Sequence, residues 1–325
     1  MIKITLSDGK TLEYPSPVTP LQVAADLNPK LAEEAICADV NNQTVDLNRM
    51  LSTDATIVFH TFAEEKGKEV FWHSTSHLLA QAVKQLYPEV KLAIGPAIEQ
   101  GFYYDFDRDE PFTEEDLQKI ETRMKELSTK ALPYQRTELS KADAIQLFGK
   151  MDETYKLELL KDIPDTDIIT IYQQGDFIDL CRGPHLPDTG KIKAIKLLRT
   201  SGAYWRGDEK NKMLKRIYGI SFPTEKELAE YLHFLEEAAK RDHRKLGKDL
   251  DLFSINDEVG PGLVLWHPKG AMVRHLIEAY WKEQHLKKGY QLVYTPHLGR
   301  ANLWETSGHL GFYKENMYSK MDIDG

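Results

Sequence analysis

Apolar and polar residues alternate at the start of the chain, in "IKITL" (residues 2–6) and again in "TLEY" (residues 11–14). Asp8-Gly9 lies between them and is a typical hairpin turn, so two paired strands are predicted. Thr19 as N-cap and Pro20 as first helical residue predict a helix next. Two further strand regions, "AICADVNNQTVDL" and "ATIVFHTF", follow, with Asn41-Asn42 as a turn. This order predicts a ubiquitin-like α+β domain over residues 1–62.

The pattern changes to a helical period after a charged stretch, "EEKGKEV" (residues 64–70), which is predicted as a linker. In "FWHSTSHLLAQAV" and just beyond it, apolar residues recur every three or four positions, which predicts a helix with one buried stripe. A glycine-punctuated strand pair, "AIGPAIEQGFYYDFD", follows, and Thr113 opens an amphipathic helix. Another helix over "SKADAIQLFG" and a strand-rich half complete a predicted α+β domain over residues 63–222.

The last third of the chain is predicted to begin with one long helix. Thr224 and Glu227 form a capping box, and the apolar stripe runs on to about residue 248, so residues 223–248 are predicted as a linker helix. Residues 249–325 then contain a Gly/Pro-rich loop, a helix from Ala271 to about Lys288, and a strand, "YQLVYTPHL". The fold class expected for the whole chain is multidomain α+β.

Composition narrows the class of protein. The 325 residues include 41% hydrophobic and 29% charged residues, with two cysteines and a formal net charge of −9. These values indicate a globular chain without a disulfide framework, and we expect a cytoplasmic protein. No apolar run is long enough for a membrane span, and the N-terminus lacks the pattern of a signal peptide. Basic surfaces are candidates only at residues 210–216 and 240–248.

Two short motifs carry the candidate chemistry. His73 and His77 are four residues apart and so lie on one helix face. In "DLCRGPH", Asp179, Cys181 and His185 flank a Gly-Pro turn, which allows a thiol and an imidazole to point the same way. Two histidines plus Cys-x-x-x-His form a plausible tetrahedral zinc set, because zinc binds nitrogen and sulfur ligands.

Several interpretations of these motifs stay open at this point. A zinc peptidase of the H-E-x-x-H type is excluded, because Ser74 occupies the position of the general base. Cys181 paired with His185 is a candidate nucleophile, although a buried inert thiol explains it equally well. A metal-free pocket in which imidazoles deprotonate water is the third candidate.

The motifs taken together resemble the N-terminal half of bacterial threonyl-tRNA synthetases, over essentially the whole chain. The resemblance is carried by the TGS-like first domain and by a set of motifs: "HSTSH", "GFYYDFD", "YKLELL", "DLCRGPH", "SGAYWRGD", "KMLKRIYG" and "EEAAKRDHRKLGK". Alanyl-tRNA synthetases share the two histidine-containing pairs, but they have no TGS-like domain in front of them.

The resemblance implies that the second domain is an editing domain that hydrolyses seryl-tRNA(Thr). The implied pocket residues are His73, His77, Lys156, Asp179, Cys181 and His185 for catalysis, with Tyr104 as a wall against the substrate. His73 would contact the terminal ribose and prepare its 2′-hydroxyl or a water. His185 and Lys156 would orient water and stabilise negative charge, and Asp179 would bind the seryl amine or hold Lys156. Metal-free hydrolysis is expected, with zinc on His73, His77, Cys181 and His185 as the alternative.

The resemblance also implies what the family needs beyond residue 325. Residues 249–325 are similar to the start of a class II catalytic core with motif 1, which builds a homodimer interface in this family. Motifs 2 and 3, the sites for ATP and Mg²⁺, and the catalytic zinc ligands are expected further on, so we expect no aminoacylation by this chain alone. Expected partners are tRNA(Thr), threonine and ATP, with no membrane. The competing interpretations are a stand-alone metal-dependent deacylase and a non-catalytic tRNA-binding module.

Overall fold

A computed structural model describes residues 1–321 of the chain. It contains two compact units, one spanning Met1–Leu235 and one that begins at Glu236. The strands and helices, in chain order, are β1 (Ile2–Leu6), β2 (Thr11–Tyr14), α1 (Pro20–Leu27), α2 (Pro29–Glu34), β3 (Cys37–Val40), β4 (Gln43–Asp46), β5 (Ala55–His60), α3 (Glu65–Leu86), β6 (Lys91–Leu92), β7 (Ala97–Ile98), β8 (Gly101–Asp107), α4 (Glu114–Thr129), β9 (Gln135–Leu139), α5 (Lys141–Lys150), α6 (Thr154–Asp162), β10 (Ile169–Gln174), β11 (Phe177–Leu180), β12 (Ala194–Tyr204), β13 (Met213–Phe222), α7 (Glu225–Lys240), α8 (His243–Asp249), β14 (Phe253–Ile255), β15 (Val264–Trp266), α9 (Pro268–Lys287), α10 (Asn302–Thr306) and α11 (His309–Phe312). Mixed helices and sheets in several layers confirm the predicted α+β class.

The first sheet has the order β2-β1-β5-β3-β4, with β1 and β5 parallel and the other pairs antiparallel. Asn41 and Asn42 form the turn between β3 and β4 and both have positive φ, which asparagine tolerates better than most residues. The Thr19 capping box and Pro20 start α1 as predicted. A second short helix that was not predicted follows, because Asn28 caps it through Lys30 N–H.

A second sheet, of order β12-β13-β8-β6 with β7 also paired to β8, forms the centre of the next part of the first unit. Helices α3 and α4 pack on one face of this sheet, and Phe102, Tyr104 and Phe106 of β8 are fully buried beneath them. A third, three-stranded sheet of order β11-β10-β9 has its own core with α5 and α6. Strand β11 leads directly into the loop that carries Cys181 and His185.

Residues 64–70 are not a linker, contrary to the prediction. They form the first turns of α3, which begins at Glu65. Glu64, Glu65, Lys66 and Glu69 of this stretch are exposed, while Gly67 and Val70 are buried. Gly67 packs so closely on the Thr61 carbonyl that a Cβ atom would lie 1.8 Å from its oxygen. The stretch therefore has a buried side that its composition conceals.

The predicted single helix over residues 223–248 is also wrong. The structure has two helices, α7 and α8, which are separated at Arg241-Asp242. Asp242 leaves the helical conformation, and its carboxylate accepts a hydrogen bond from Arg244 N–H at 2.8 Å. An aspartate side chain that bonds the backbone locally ends one helix and caps the next.

In the second unit, β14 and β15 form a hairpin, and α9 begins at Pro268 rather than at Ala271. The strand predicted over "YQLVYTPHL" is not formed within residues 1–321, where no other segment pairs with it. A strand needs such a partner for its backbone groups. Residues 322–325, at the end of the predicted segment 249–325, lie outside the described residues. In the described part of the chain, no helix combines the length and apolarity of a membrane span.

Candidate functional site

Helix α3 supplies the first half of the site. Its four-residue spacing stacks His73 and His77 on one face, with ring centroids 5.1 Å apart. His77 is buried and His73 is partly exposed. Ser74 lies one residue after His73 and is fully buried. The predicted helix and the shared face of the two histidines are both present.

The loop after β11 supplies the second half. Gly183 has a φ of +70°, a conformation that suits glycine, and a Cβ there would lie 2.0 Å from the Tyr172 hydroxyl oxygen. The chain turns sharply at this glycine, so that Cys181 and His185 point back toward α3. The tight turn predicted from "DLCRGPH" is therefore present, and it directs the thiol and the imidazole the same way, as expected.

The four side chains meet at one point. Cys181 Sγ lies 3.4 Å from His73 Nε2 and 3.2 Å from His185 Nε2. The His77 and His185 ring centroids are 4.4 Å apart. One potential ligand atom from each of the four residues lies within 4.8 Å of all the others. Residues more than a hundred positions apart in the chain thus form a single cluster.

Hydrogen bonding by Ser74 fixes the tautomer of His185. The Ser74 hydroxyl donates its proton to the Val70 carbonyl at 2.8 Å, and its oxygen accepts Leu186 N–H at 2.9 Å. The same oxygen lies 3.1 Å from His185 Nδ1. With the hydroxyl proton directed at the Val70 carbonyl, we infer that Nδ1 carries the hydrogen and donates it to Ser74. The lone pair of His185 Nε2 is therefore directed at Cys181.

A buried ion pair lies beside the histidines. Lys156 Nζ of α6 is 2.5 Å from Asp179 Oδ1 of β11, and both side chains are almost completely buried. Tyr104 donates its hydroxyl to Asp179 Oδ2 at 2.7 Å and accepts from Lys156 Nζ at 3.1 Å. Burial alone raises the pKa of Asp179, but the Lys156 charge, then His77, outweigh it and hold this pKa below its ordinary value.

His77 lies between the cluster of histidines and Cys181 and the Lys156–Asp179 ion pair. Its Nδ1 lies 3.5 Å from Asp179 Oδ2, without the angle of a hydrogen bond, and is a buried ring nitrogen without a hydrogen-bond partner in the described structure. A carboxylate that accepts the ring N–H of an imidazole orients it as a base or as a metal ligand, and a small rotation of His77 would complete such a bond to Asp179. Asp179 is therefore bonded to Lys156 and close to His77.

Burial determines the protonation of the cluster. It lowers the pKa of His73 to about 4 and that of His77 to about 3, and it lowers the pKa of His185 well below its ordinary value. Burial also raises the pKa of Cys181 to about 12. At neutral pH the three imidazoles are therefore neutral. The sulfur is a thiol rather than a nucleophilic thiolate, which argues against a cysteine nucleophile.

The donor set fits a metal ion chemically. Zinc bonds of about 2.0–2.3 Å place tetrahedral ligand atoms roughly 3.3–3.8 Å apart, and the two sulfur–nitrogen distances of 3.4 and 3.2 Å are close to this range. The bond from His185 to Ser74 leaves Nε2 free to coordinate. His73, His77, Cys181 and His185 are therefore suited to hold zinc.

The structure places every predicted site residue in this region, although Tyr104 is fully buried and its hydroxyl is bonded to Asp179. Sequence reasoning missed Ser74, whose only signal was its place in "HSTSH". It also missed two aromatic neighbours of His185: Tyr134 stacks on the ring at 5.0 Å and 4°, and Tyr172 meets it edge-on at 4.4 Å. Asp46 of the first sheet, which accepts His185 N–H at 2.7 Å, was missed as well.

The basic stretch at 210–216 is less available for phosphate than its composition indicates. Lys212 Nζ lies 2.6 Å from Asp107, and Arg216 makes two bonds to Asp105 at 2.7 and 2.8 Å. Paired cations contribute less to a positive surface than free ones. In the stretch 240–248, Lys240 and Arg241 likewise pair with glutamates of α7.

Comparisons with known proteins agree with this architecture. Residues 2–61 match the TGS domain model, and residues 169–218 match the model described as the threonyl and alanyl tRNA synthetase second additional domain. The second match includes Asp179, Cys181 and His185. The class of protein is therefore one that joins a TGS domain to the second additional domain of these synthetases.

The relatives specify the class further. A threonine–tRNA ligase of Carboxydothermus hydrogenoformans is 52% identical over 323 residues, covering 99% of this chain and 51% of that protein. Those of Caldanaerobacter subterraneus subsp. tengcongensis and Desulforamulus reducens are also 52% identical, over 99% of this chain and 50% and 51% of their own lengths. The chain spans about half the length of these curated relatives. Its sequence is thus similar over almost its whole length to about half of each of these threonine–tRNA ligases, in agreement with the resemblance seen in the motifs.

Proposed function

We propose that the site around His73 hydrolyses the ester of seryl-tRNA(Thr), as the editing site of a threonine–tRNA ligase. The observation that carries the proposal is the convergence of His73, His77, Cys181 and His185 beside the buried Lys156–Asp179 pair. Neutral imidazoles next to a fixed positive charge suit the activation of water and the stabilisation of an oxyanion. Ligation of threonine with ATP and Mg²⁺ is proposed for a full-length protein of this type.

An editing activity is needed because a binding site discriminates poorly between amino acids that differ by one methyl group. Serine lacks one methyl group of threonine, and a methyl-sized difference provides only about 1–3 kcal/mol of discrimination in a binding site. A ligase that selects threonine by fit therefore accepts some serine. A second pocket that admits serine and excludes the extra methyl group removes the product.

The exposure of the side chains supports a division of roles. His73 is the partly exposed histidine, so it contacts the terminal ribose and accepts the proton from water or from the 2′-hydroxyl. His185 is fully buried and shapes the pocket behind it, together with Cys181. Lys156 is as buried as His185, so its positive charge acts on the negative charge that develops on the ester carbonyl through the field of the pocket and not by direct contact. Asp179 holds Lys156, and Tyr104 fixes Asp179 from the other side.

Hydrolysis is proposed to proceed without a metal, and the competing proposal of a metal-dependent deacylase rests on the zinc-compatible donor set. When bound, zinc would be held by His73, His77, Cys181 and His185 and would supply Lewis-acid activation of water. Metal analysis of the purified chain decides between the two. Less than 0.1 zinc per chain in active protein supports metal-free hydrolysis, and stoichiometric zinc lost together with activity on chelation supports the deacylase.

The experiment that tests the proposal is the release of serine from seryl-tRNA(Thr). His73→Ala is expected to lower the rate by about 100-fold or more, because it removes a proton acceptor of the reaction. His233→Ala is the matched control, since this histidine is exposed on α7, away from the cluster. A folded chain that releases no serine, or a His73→Ala variant as active as the control, contradicts the proposal. A binding module without catalysis would retain affinity for tRNA in both variants.

Two further features of the whole protein are proposals as well. tRNA(Thr) is the proposed partner, and its phosphates would meet the lysines of the stretches 210–216 and 240–248 that are less engaged in ion pairs. Homodimerisation is proposed through residues 249–325. Helix α9 supports this proposal, because several large apolar side chains on it are more than half exposed, among them Leu276, Ile277, Tyr280 and Trp281.

A further inference from the structure

We propose that Asp46, in the TGS domain, is a positioning residue of the hydrolytic pocket in the neighbouring domain. Its carboxylate is the link between the first sheet and the loop that carries His185. Asp46 Oδ1 accepts the backbone N–H of His185 at 2.7 Å, and Asp46 Oδ2 accepts the Tyr172 hydroxyl at 2.8 Å. Both donors belong to the pocket. Tyr172 is 126 residues and His185 is 139 residues from Asp46 in the chain.

The two bonds from Asp46 hold the backbone of His185 and an aromatic ring that contacts its imidazole. One bond fixes the backbone of His185, and the other fixes the Tyr172 ring, which meets the imidazole edge-on at 4.4 Å. Ser74 holds Nδ1, and Tyr134 covers one face of the ring. The carboxylate thus adds two bonds to the contacts that surround His185, whose Nε2 lies 3.2 Å from Cys181 Sγ.

Asp46 lies in a paired strand of a sheet that packs against the second domain. Asp46 ends strand β4, which pairs with β3, and Cys37 of β3 lies opposite Asp46 in the register. Ile36 and Cys37 are buried in the same hydrophobic cluster as the core of the second domain. Lys191 of the second domain also donates to the carbonyl oxygens of Ala32 and Glu33. The TGS domain is therefore packed against the pocket domain, so that its carboxylate can hold the loop in a fixed position.

The consequence is that the TGS domain contributes to the pocket of the neighbouring domain. Hydrogen bonds to a charged acceptor are among the stronger ones in proteins. Their loss would let the loop at 181–185 sample other conformations, and small displacements of catalytic groups reduce rates strongly. The catalytic part of this inference rests on the proposed hydrolysis, whereas the positional part does not.

The test compares Asp46→Ala with Asp54→Ala in the full chain. Asp54 is a matched control, because it is exposed in the same domain and accepts a backbone N–H, that of Lys3, at 2.8 Å. For Asp46→Ala we expect kcat for serine release to fall about 10- to 100-fold, with KM for the tRNA within about threefold of the wild-type value. Asp46→Asn keeps an oxygen acceptor for His185 N–H, and it is expected to recover part of the loss.

Hydrogen–deuterium exchange separates this inference from the proposed function. Amides of the segment 181–187 are expected to exchange faster in Asp46→Ala than in the control, whether or not the chain hydrolyses the ester. If Asp46→Ala does not fold, Tyr172→Phe serves instead, since it removes only the hydroxyl, and the same direction is expected. Wild-type protein that releases no serine refutes the hydrolysis alone. Equal exchange and equal kcat in Asp46→Ala and Asp54→Ala overturn the positioning role.

Discussion

Removal of the Asp179 carboxylate is the perturbation with the largest effect that the structure allows us to estimate. In Asp179→Ala the Lys156 ammonium stays buried, with 3% of its side chain exposed, and loses an anion at 2.5 Å. The Tyr104 hydroxyl also loses its acceptor. Loss of one partner of a buried ion pair destabilises a protein by about 3–5 kcal/mol, because the remaining charge is uncompensated. We expect a loss of this size in the free energy of unfolding of the first unit.

The control is a lysine–aspartate pair of similar length in which the aspartate is exposed. Lys141 Nζ lies 2.7 Å from Asp165 Oδ1, and 92% of the Asp165 side chain is exposed. Because water and salt screen such a pair, Asp165→Ala is expected to cost less than about 1 kcal/mol. Urea unfolding of the two variants, followed by circular dichroism, measures the difference.

A double variant, Lys156→Met with Asp179→Leu, tests the cause of the loss. It removes both charges and fills their space with apolar atoms, so it is expected to recover the stability lost to the uncompensated charge, although the Tyr104 hydroxyl still lacks its acceptor, and serine release is expected to be lost. Recovery of stability without activity distinguishes the structural effect of the pair from its proposed catalytic one. If Asp179→Ala costs no more than Asp165→Ala, the reasoning from burial is refuted.

Three further predictions concern the histidine cluster and the thiols. Ser74→Ala removes the acceptor of His185 Nδ1–H and is expected to slow serine release about tenfold, with both tautomers visible by ¹⁵N NMR; a retained single tautomer would contradict the argument. Because the pKa of His73 is lowered to about 4 and that of His77 to about 3, the unfolded chain binds more protons than the folded one below its own histidine pKa of about 6.5. The contribution of these two histidines to the free energy of unfolding is therefore fully present above pH 6.5 and declines as the pH falls toward 4. Urea midpoints at pH 7.5 and 5.0 that do not differ would refute this. Since burial raises the pKa of both Cys37 and Cys181 to about 12, iodoacetamide at pH 8 is expected to alkylate them at least tenfold more slowly than a free thiol, and rapid loss of Cys181 would restore the cysteine-nucleophile hypothesis.

The sequence was sufficient for the elements whose signals are local. Thr19 and Thr113 cap the helices they were predicted to cap, and Asn41-Asn42 forms its turn. The four His and Cys residues were recognised because their spacings, four on a helix and four around a Gly-Pro turn, already restrict where the side chains point. Their convergence still required the structure, because no local signal relates position 77 to position 181.

The features that the sequence did not predict depend on contacts between distant segments. The charged composition of residues 64–70 does not indicate that they start a helix, which packs against the Thr61 carbonyl through Gly67. Asp242 interrupts a stripe of helical period by a bond to its own neighbour, which the stripe does not show. Asp46 is one acidic residue at a strand end, and its importance follows only from the approach of His185 and Tyr172 from another domain.

The central claim is that the cluster around His73 is a hydrolytic pocket that distinguishes serine from threonine. It is tested most directly by the ratio of kcat/KM for the deacylation of seryl-tRNA(Thr) and threonyl-tRNA(Thr) by this chain. The account predicts rapid release of serine, little release of threonine, and loss of the serine reaction in His73→Ala. Equal rates with the two esters, or serine release that is unchanged in His73→Ala, would contradict it.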